Sequence, residues 1–221
     1  MPYNRREFLT LGAGSVAASL WGTMPLAYGD SKPTIKAIAF DAFTTFDPRP
    51  IVALAEQLFP TQGAALGNAW RTRQFEYTWL RSVGHRYVDF WKVTEDALVF
   101  AANMLQLDLS ADKRAQLMAA YLDLKAYTDV QPALESLKQA GIRLALLSNM
   151  TRTMLEAATK NAGFEGIFEF TLSTDTVHTY KPDPRAYQMG MEAFGLPRQD
   201  MLFAAFGGWD AAGAKIGRAH V

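Results

Sequence analysis

The chain contains no cysteine among its 221 residues, which excludes thiol catalysis, cysteine-ligated zinc and disulfide bonds within it. The three histidines, His85, His178 and His220, show no metal-binding spacing. Basic and acidic side chains number 22 each, so the formal net charge is zero. This balance indicates neither a nucleic-acid partner nor a polybasic membrane patch. The length is sufficient for one sizeable core with a small second lobe.

Residues 1–29 have the order of features that is typical of an export signal. The arginine pair Arg5-Arg6 is followed by an apolar stretch, Leu11 to Leu26, and by the small residues of Ala27-Tyr28-Gly29. This order indicates a twin-arginine (Tat) signal, so we expect a mature protein that begins near Asp30 and is periplasmic or secreted. Membrane contact would be limited to export. The alternative is an amphipathic N-terminus whose two arginines are adjacent by chance.

The last residues, 216–221, read Ile-Gly-Arg-Ala-His-Val. This is the translation of ATCGGAAGAGCACACGTC, the start of a widely used sequencing adapter. We therefore expect a non-native tail, a reading frame that is lost after Lys215, and a natural protein that continues through one more strand.

Between these ends, strand-length apolar runs alternate with helical patterns. The predicted strands are Ile35–Phe40, Ile142–Leu147, Glu169–Leu172 and Met201–Ala205. Helices with apolar residues at three- and four-residue spacing are predicted over Gln131–Gln139, Thr153–Asn161, Pro184–Phe194 and Asp210–Lys215. A block of four helices without strands follows the first strand: Ala53–Phe59, Ala64–Val83, Thr94–Leu107 and Ala111–Ala126.

This order predicts an α/β fold, a Rossmann-like doubly wound parallel sheet into which a helical cap is inserted. The core is expected over 30–48 and 129–215, and the cap over 49–128. In such a fold the active site lies between the cap and the carboxyl ends of the strands.

Polar side chains follow each predicted strand. They are Asp41 with Thr44 and Thr45, then Ser148 and Asn149, then Lys181, and finally Asp210. Because parallel strands end at one edge of the sheet, these side chains should converge there. An acid, a lysine and a second acid would then form a nucleophile, its counter-ion and a group that handles water.

The quoted segments resemble the haloacid dehalogenase superfamily. The core segments are Phe40-Asp41-Ala42-Phe43-Thr44-Thr45, Leu147-Ser148-Asn149, Tyr180-Lys181-Pro182 and Gly208-Trp209-Asp210. The cap segments, Trp70 to Arg81 and Arg86 to Phe90, resemble those of the type II L-2-haloacid, or (S)-2-haloacid, dehalogenases. The resemblance covers Lys36 to Lys215 and implies hydrolysis of the carbon–halogen bond without a metal or other cofactor. Relatives often dimerise through the cap, so a homodimer is one expectation.

The resemblance also implies roles for individual residues. Asp41 would attack the substrate, Lys181 would keep Asp41 ionised, and Arg71 would receive the halide. Asp210 would position the residues and the water that hydrolyse the ester. The expected substrate-binding residues are Thr45, Ser148, Asn149, Phe75, Phe90, Tyr187 and Trp209, with Tyr187 at the family's supporting tyrosine position.

Three positions bear on which reaction is catalysed. Phe43 stands where phosphatases of the superfamily carry a second acid, which favours a leaving group that needs no proton. Ala205 and Gly207 stand where well-studied dehalogenases have serine and asparagine. A magnesium-dependent phosphatase and a catalytically silent exported binding protein therefore remain alternatives.

Each assignment also has a purely structural interpretation. Asp41, Asp210 and the Ser148-Asn149 pair could cap helices, and Arg71 could be an ordinary surface residue. The aromatic residues Phe75, Phe90 and Trp209 could equally belong to the core.

Overall fold

The computed structural model describes residues 35–217. The export signal predicted for 1–29 and residues 218–221 of the predicted tail lie outside these residues. The strands are β1 (Ala37–Phe40), β2 (Phe46–Asp47), β3 (Lys125–Ala126), β4 (Arg143–Ser148), β5 (Phe170–Ser173) and β6 (Met201–Ala204). The α-helices are α1 (Ala42–Thr45), α2 (Arg49–Leu58), α3 (Gly63–Val83), α4 (Phe90–Met104), α5 (Ala111–Ala119), α6 (Val130–Gln139), α7 (Arg152–Asn161), α8 (Pro184–Phe194) and α9 (Gly208–Ile216).

Four of the strands form a parallel sheet in the order β5-β4-β1-β6. Phe40, the last residue of β1, pairs with Leu146 of β4 and with Ala204 of β6. The carboxyl ends of these three strands therefore lie side by side, and the loops that follow them meet at one edge. This arrangement confirms the predicted α/β fold with a parallel sheet and brings the segments after Phe40, Ser148 and Ala204 together.

Side chains alternate between the two faces of the sheet, as a strand period of two requires. Ile38 of β1 packs with Leu144 and Leu146 of β4 in a core that also contains buried side chains of α3 and α4. Ala37 and Ala39 face the opposite side, where they pack with residues of α8 and β6. Helices α2 to α5 thus share a hydrophobic core with one face of the sheet, and we call these four helices the cap.

The prediction of a helical block without strands was wrong at its ends. Helix α5 stops at Ala119 instead of continuing to Ala126, and a 3₁₀ turn follows over Ala120–Leu122. The next residues form β3, which pairs antiparallel with β2 through Phe46–Ala126 and Asp47–Lys125. Main-chain pairing between the segments that enter and leave the cap prevails here over a side-chain spacing that also suits a helix.

The described residues belong to one compact unit. The division into core and cap at residues 48 and 128 stays a prediction. No helix within residues 35–217 has the length and apolar composition needed to cross a membrane.

Candidate active site

Asp41 directly follows β1 and begins helix α1. Its Oδ2 accepts a hydrogen bond from the Phe43 backbone N–H at 2.8 Å, and its carbonyl oxygen accepts one from Thr44 Oγ1 at 2.6 Å. Its other carboxylate oxygen, Oδ1, lies 2.8 Å from Lys181 Nζ. The side chain is therefore a helix cap and an ion-pair partner at once, and the residue is only 7% exposed.

Lys181 lies between two carboxylates in the interior of the protein. Its Nζ is 2.8 Å from Asp41 Oδ1 and 3.4 Å from Asp210 Oδ2, and the residue is 1% exposed. The ammonium also lies 4.5 Å from the centroid of the Phe203 ring, which is a cation–π contact. The structure thus brings together the three charged side chains that the sequence places after three different strands.

Asp210 lies in the first turn of α9 and is fully buried. The Tyr187 hydroxyl donates to Asp210 Oδ1 at 2.8 Å and to its carbonyl oxygen at 3.2 Å. Burial raises the pKa of Asp210, and the charge of Asp41 raises it further, while Lys181 opposes both. Burial followed by the charge of Asp210 also raises the pKa of Tyr187, so this phenol stays protonated and continues to donate.

Helix α9 approaches Lys181 closely because residue 213 is a glycine. A Cβ at Gly213 would lie 2.4 Å from Pro182 Cβ and 2.7 Å from the Tyr187 hydroxyl oxygen. Any larger residue would push the helix, and Asp210 with it, away from the ammonium of Lys181.

The loop after β4 holds the backbone of Lys181 in place. Asn149 Oδ1 accepts hydrogen bonds from the Lys181 backbone N–H at 2.9 Å and from Thr174 Oγ1 at 3.3 Å. Ser148 Oγ accepts from the Met150 backbone N–H at 3.2 Å, so Ser148 also shapes the turn. Thr45 is buried at the end of α1, where its carbonyl oxygen accepts from the Tyr127 N–H at 3.2 Å.

Aromatic side chains of α3 meet those of the segment that precedes Asp210. The Phe75 ring of α3 contacts Trp209 at 5.4 Å between centroids, and Trp79 contacts Trp209 at 5.6 Å. The Arg71 guanidinium lies 4.9 Å from the Phe206 ring and 5.7 Å from the Phe75 ring. Phe75, Trp79, Phe206 and Trp209 form what we call the aromatic wall, and Arg71, although exposed, is stacked on it.

Two predicted substrate contacts, Phe90 and Tyr187, are buried among other side chains, as Thr45 and Ser148 also are, and their contact with substrate stays a prediction. Phe90 is 1% exposed and packs in the core with its ring 6.3 Å from Tyr180, so it presents no face to an open space. Tyr187 is 2% exposed and directs its hydroxyl at Asp210, so it supports a charged residue. Helical spacing alone does not distinguish a ring that faces a cleft from one that faces the core.

A cleft opens beside the aromatic wall, between α1 and the cap. It encloses about 530 Å³, part of which is open to solvent. Phe43, Ile51, Val52 and Phe75 supply apolar lining, and Arg71 supplies a positive charge. The cleft also contains Gln74 and Tyr121, and the Phe206 ring contacts both Arg71 and Phe43. Sequence reasoning missed Gln74, Tyr121 and Phe206; a glutamine among the core positions of α3 was the available signal.

Comparison with known proteins gives one consistent result. The family model of haloacid dehalogenase-like hydrolases matches residues 33–216. The chain is 43% identical to the (S)-2-haloacid dehalogenase of Pseudomonas sp. (strain YL) over 82% of this chain and 78% of the relative. It is 40% identical to haloacetate dehalogenase H-2 of Moraxella sp. (strain B), over 82% of this chain and 81% of that protein.

Solved structures agree with the sequence relatives. A crystal structure of an L-2-haloacid dehalogenase superimposes with a TM-score of 0.81 at 44% identity, covering 83% of both chains. The L-2-haloacid dehalogenase of Xanthobacter autotrophicus with chloropropionic acid covalently bound has a TM-score of 0.78 at 34% identity, covering 84% of this chain and 76% of the other.

Proposed function

The chain belongs to the (S)-2-haloacid dehalogenases within the haloacid dehalogenase-like hydrolases, and we propose that it hydrolyses short L-2-haloalkanoic acids through an ester on Asp41. The products are a 2-hydroxy acid and a halide ion. The observation that carries this proposal is the buried contact of 2.8 Å between Lys181 Nζ and Asp41 Oδ1. The covalent chloropropionic acid adduct of the Xanthobacter relative supports an enzyme-bound intermediate.

In the first step a carboxylate oxygen of Asp41 attacks C2 of the substrate. A bond forms between that oxygen and C2 while the bond from C2 to the halogen breaks, and the halide leaves with the electron pair. The configuration at C2 is therefore inverted. No proton has to reach the leaving group because halide is a very weak base, which fits the apolar Phe43 beside Asp41.

Lys181 and the Phe43 backbone N–H fix the orientation of the attacking group. One donor is bonded to each carboxylate oxygen of Asp41, so the carboxylate plane is set before the substrate arrives. Arg71, stacked on Phe75 and Phe206, carries the positive charge that meets the departing halide. The substrate carboxylate would bind near Ser148 and Thr45 at the strand ends.

In the second step water attacks the ester carbonyl carbon of Asp41. Asp210 accepts one proton of this water, because a buried carboxylate with a raised pKa is a stronger base than an exposed one. The bond from the Asp41 carbonyl carbon to the substrate oxygen then breaks, and Asp210 returns the proton to that oxygen to give the 2-hydroxy acid. The second proton of the water is released as the Asp41 carboxylate is restored. Tyr187 keeps Asp210 in place through its hydrogen bond to Oδ1. Asn149 serves as a positioning residue for Lys181.

Halide release from L-2-chloropropionate in the presence of EDTA tests the proposal. We expect release by the wild type, none from the D enantiomer and none by Asp41→Asn. With enzyme in excess over substrate in oxygen-18 water, the label should enter Asp41 and not the first product formed. Label in that product would show direct attack by water, and activity abolished by EDTA would instead support the phosphatase alternative.

A second candidate is a binding protein that retains the cleft without turnover. The presence of Ala205 and Gly207, where well-studied dehalogenases have serine and asparagine, favours it. A Cβ at Gly207 would lie 3.6 Å from Trp209 Nε1, an ordinary contact, so the Cβ of Gly207→Asn meets no close obstacle. If Ala205→Ser with Gly207→Asn is needed before any halide is released, the natural chain is the binding protein.

Export through the Tat pathway is also part of the proposal and is supported by the arginine pair Arg5-Arg6 and the apolar stretch that follows. Loss of the protein from the periplasm of a Tat-deficient host, with wild-type levels in the cytoplasm, is the expected result. A homodimer stays a prediction, which light scattering would test.

A further inference from the structure

The cleft beside the aromatic wall contains a chain of hydrogen bonds with a fixed direction. Thr94 Oγ1 donates to the Phe90 carbonyl oxygen at 2.6 Å, and with its proton placed there this hydroxyl accepts from Gln74. The amide of Gln74 therefore directs Nε2 at Thr94 Oγ1, at 2.7 Å, and the same nitrogen donates to the Tyr121 hydroxyl at 3.1 Å. Tyr121 thus accepts from Gln74, and its own proton points elsewhere.

The proton of the Tyr121 hydroxyl has no acceptor within residues 35–217. Tyr121 is only 6% exposed and lines the cleft, where its ring packs against Trp70 at 5.4 Å. A buried hydroxyl that has been oriented by a neighbour and then left without an acceptor is uncommon in proteins. Burial raises the pKa of Tyr121 to about 12, so the proton stays on the phenol at neutral pH.

Arg71 supplies a second set of donors to the same cleft. Its guanidinium is held by stacking on Phe206 and Phe75, and no acidic side chain of the described part of the chain pairs with it. It lies near enough to Tyr121 for its charge to act on the phenol. The remaining lining is largely aromatic and aliphatic, which suits a large, weakly hydrated anion.

The geometry of the displacement at C2 determines where the halide is formed. The halide must leave on the side of C2 opposite to the attacking oxygen of Asp41. Phe43 binds the Asp41 carboxylate through its backbone N–H and also lines the cleft, so the cleft adjoins the nucleophile on the side of the cap. A halide that leaves on this side of C2 would enter the cleft.

We propose that the cleft is the halide-receiving compartment of this enzyme and that the Tyr121 hydroxyl, oriented by Gln74 and Thr94, donates to the halide together with Arg71. The inference rests on the proposed function. It assigns a leaving-group contact to Tyr121 and a positioning role to Gln74, whereas the sequence suggested only Arg71 for this task.

Bromide binding to the unliganded protein provides a test that requires no turnover. Tyr121→Phe removes one oxygen and keeps the ring against Trp70. Tyr77→Phe is the matched control, because Tyr77 lies on α3 with its ring against Phe100 and does not line the cleft. From bromide NMR line broadening we expect Tyr121→Phe to weaken binding about tenfold, the usual effect of one hydrogen bond to an anion, and Tyr77→Phe to leave it unchanged. Equal bromide affinity of the wild type and Tyr121→Phe would overturn the proposal.

Anomalous diffraction from wild-type crystals soaked in bromide makes the test independent of how the variant folds. A bromide peak within hydrogen-bond reach of both Tyr121 and Arg71 is expected. A peak only elsewhere, or L-lactate bound with its carboxylate between these two residues, would refute the assignment.

Turnover separates this inference from the proposed function. With L-2-chloropropionate, Tyr121→Phe should lower kcat about tenfold with little change in KM, and the loss should be smaller for the iodide analogue, whose leaving group needs less stabilisation. Weakened bromide binding in a protein that releases no halide would preserve the site and reject the reaction. Halide release that is unchanged in Tyr121→Phe would preserve the proposed reaction and reject the role of Tyr121.

Discussion

Replacing Lys181 with methionine would leave Asp41 and Asp210 buried without a counter-ion. The two N–O distances, 2.8 and 3.4 Å, correspond to attractions of roughly 6 and 5 kcal/mol at an effective dielectric constant of about 20. Desolvation of the ammonium and the repulsion between the carboxylates offset much of this sum. Removal of one partner of a buried pair usually costs about 3–5 kcal/mol, and we expect Lys181→Met to lower the free energy of unfolding by that amount at pH 7.

Lys36→Met is the matched control. Lys36 Nζ lies 2.6 Å from Asp200 Oδ2, a shorter contact than either made by Lys181, but 57% of the Lys36 side chain is exposed. Because water screens this pair, its loss should cost less than about 1 kcal/mol. Urea unfolding followed by circular dichroism measures both variants. Equal losses for the two lysines would refute the claim that burial determines the strength of the Lys181 pairs.

The pH dependence of Lys181→Met provides a second check. In the wild type Lys181 opposes the rise in the pKa of Asp210 that burial causes, so without Lys181 this pKa rises further. A carboxyl whose folded-state pKa exceeds its unfolded value contributes stability that is fully present below the unfolded pKa and is lost as pH rises through the folded pKa. The stability deficit of Lys181→Met should therefore shrink as pH falls from 7 towards 4, and a constant deficit would contradict the reasoning.

Three further changes have expected outcomes. Tyr87→Phe removes the hydroxyl that donates to Asp175 Oδ1 at 2.6 Å between cap and core; steady-state kinetics should show roughly fivefold lower kcat, whereas Asp175→Asn, which keeps an acceptor, should stay near wild type. Equal losses of kcat in Tyr87→Phe and Asp175→Asn would show that the charge of Asp175, and not the hydrogen bond, matters. Gly213→Ala should cost about 1–3 kcal/mol in urea unfolding because its Cβ would overlap Pro182, and an unchanged midpoint would show that α9 yields freely. Asp210→Asn should abolish steady turnover yet gain stability relative to wild type as pH rises from about 4, since burial raises the pKa of Asp210. A pH-independent difference in unfolding free energy would contradict that assignment.

The sequence was sufficient for the parallel sheet and for the convergence of Asp41, Lys181 and Asp210. Each of these residues follows a short apolar run, and parallel strands bring such positions to one edge whatever the details of packing. The same logic failed for β3, because its pairing with β2 joins residues that are 80 positions apart, as in Phe46 with Ala126. Local periodicity carries no information about such a partner.

The roles of the residues around Asp41, Lys181 and Asp210 could be assigned only from the three-dimensional arrangement. Asn149 follows a strand, as a substrate-binding residue would, yet its side-chain oxygen is bonded to the backbone of Lys181 and to Thr174. Phe75 and Phe90 are both aromatic residues of the cap, but only Phe75 reaches Trp209. Which face of a helix meets a distant loop depends on how the helices cross, and residue spacing does not specify that crossing.

The chain by itself determined which chemistry is available: a carboxylate, an ammonium and a second carboxylate at strand ends, with Phe43 where a proton donor would otherwise stand. Tertiary structure alone decided that Tyr121 shares one cleft with Gln74 and Arg71, since Tyr121 lies in the 3₁₀ turn Ala120–Leu122 and the other two lie on α3, and only Arg71 was singled out in the sequence. The physical reason is that strand order fixes where the carboxyl ends lie, whereas the direction of a buried hydroxyl depends on every donor and acceptor packed around it.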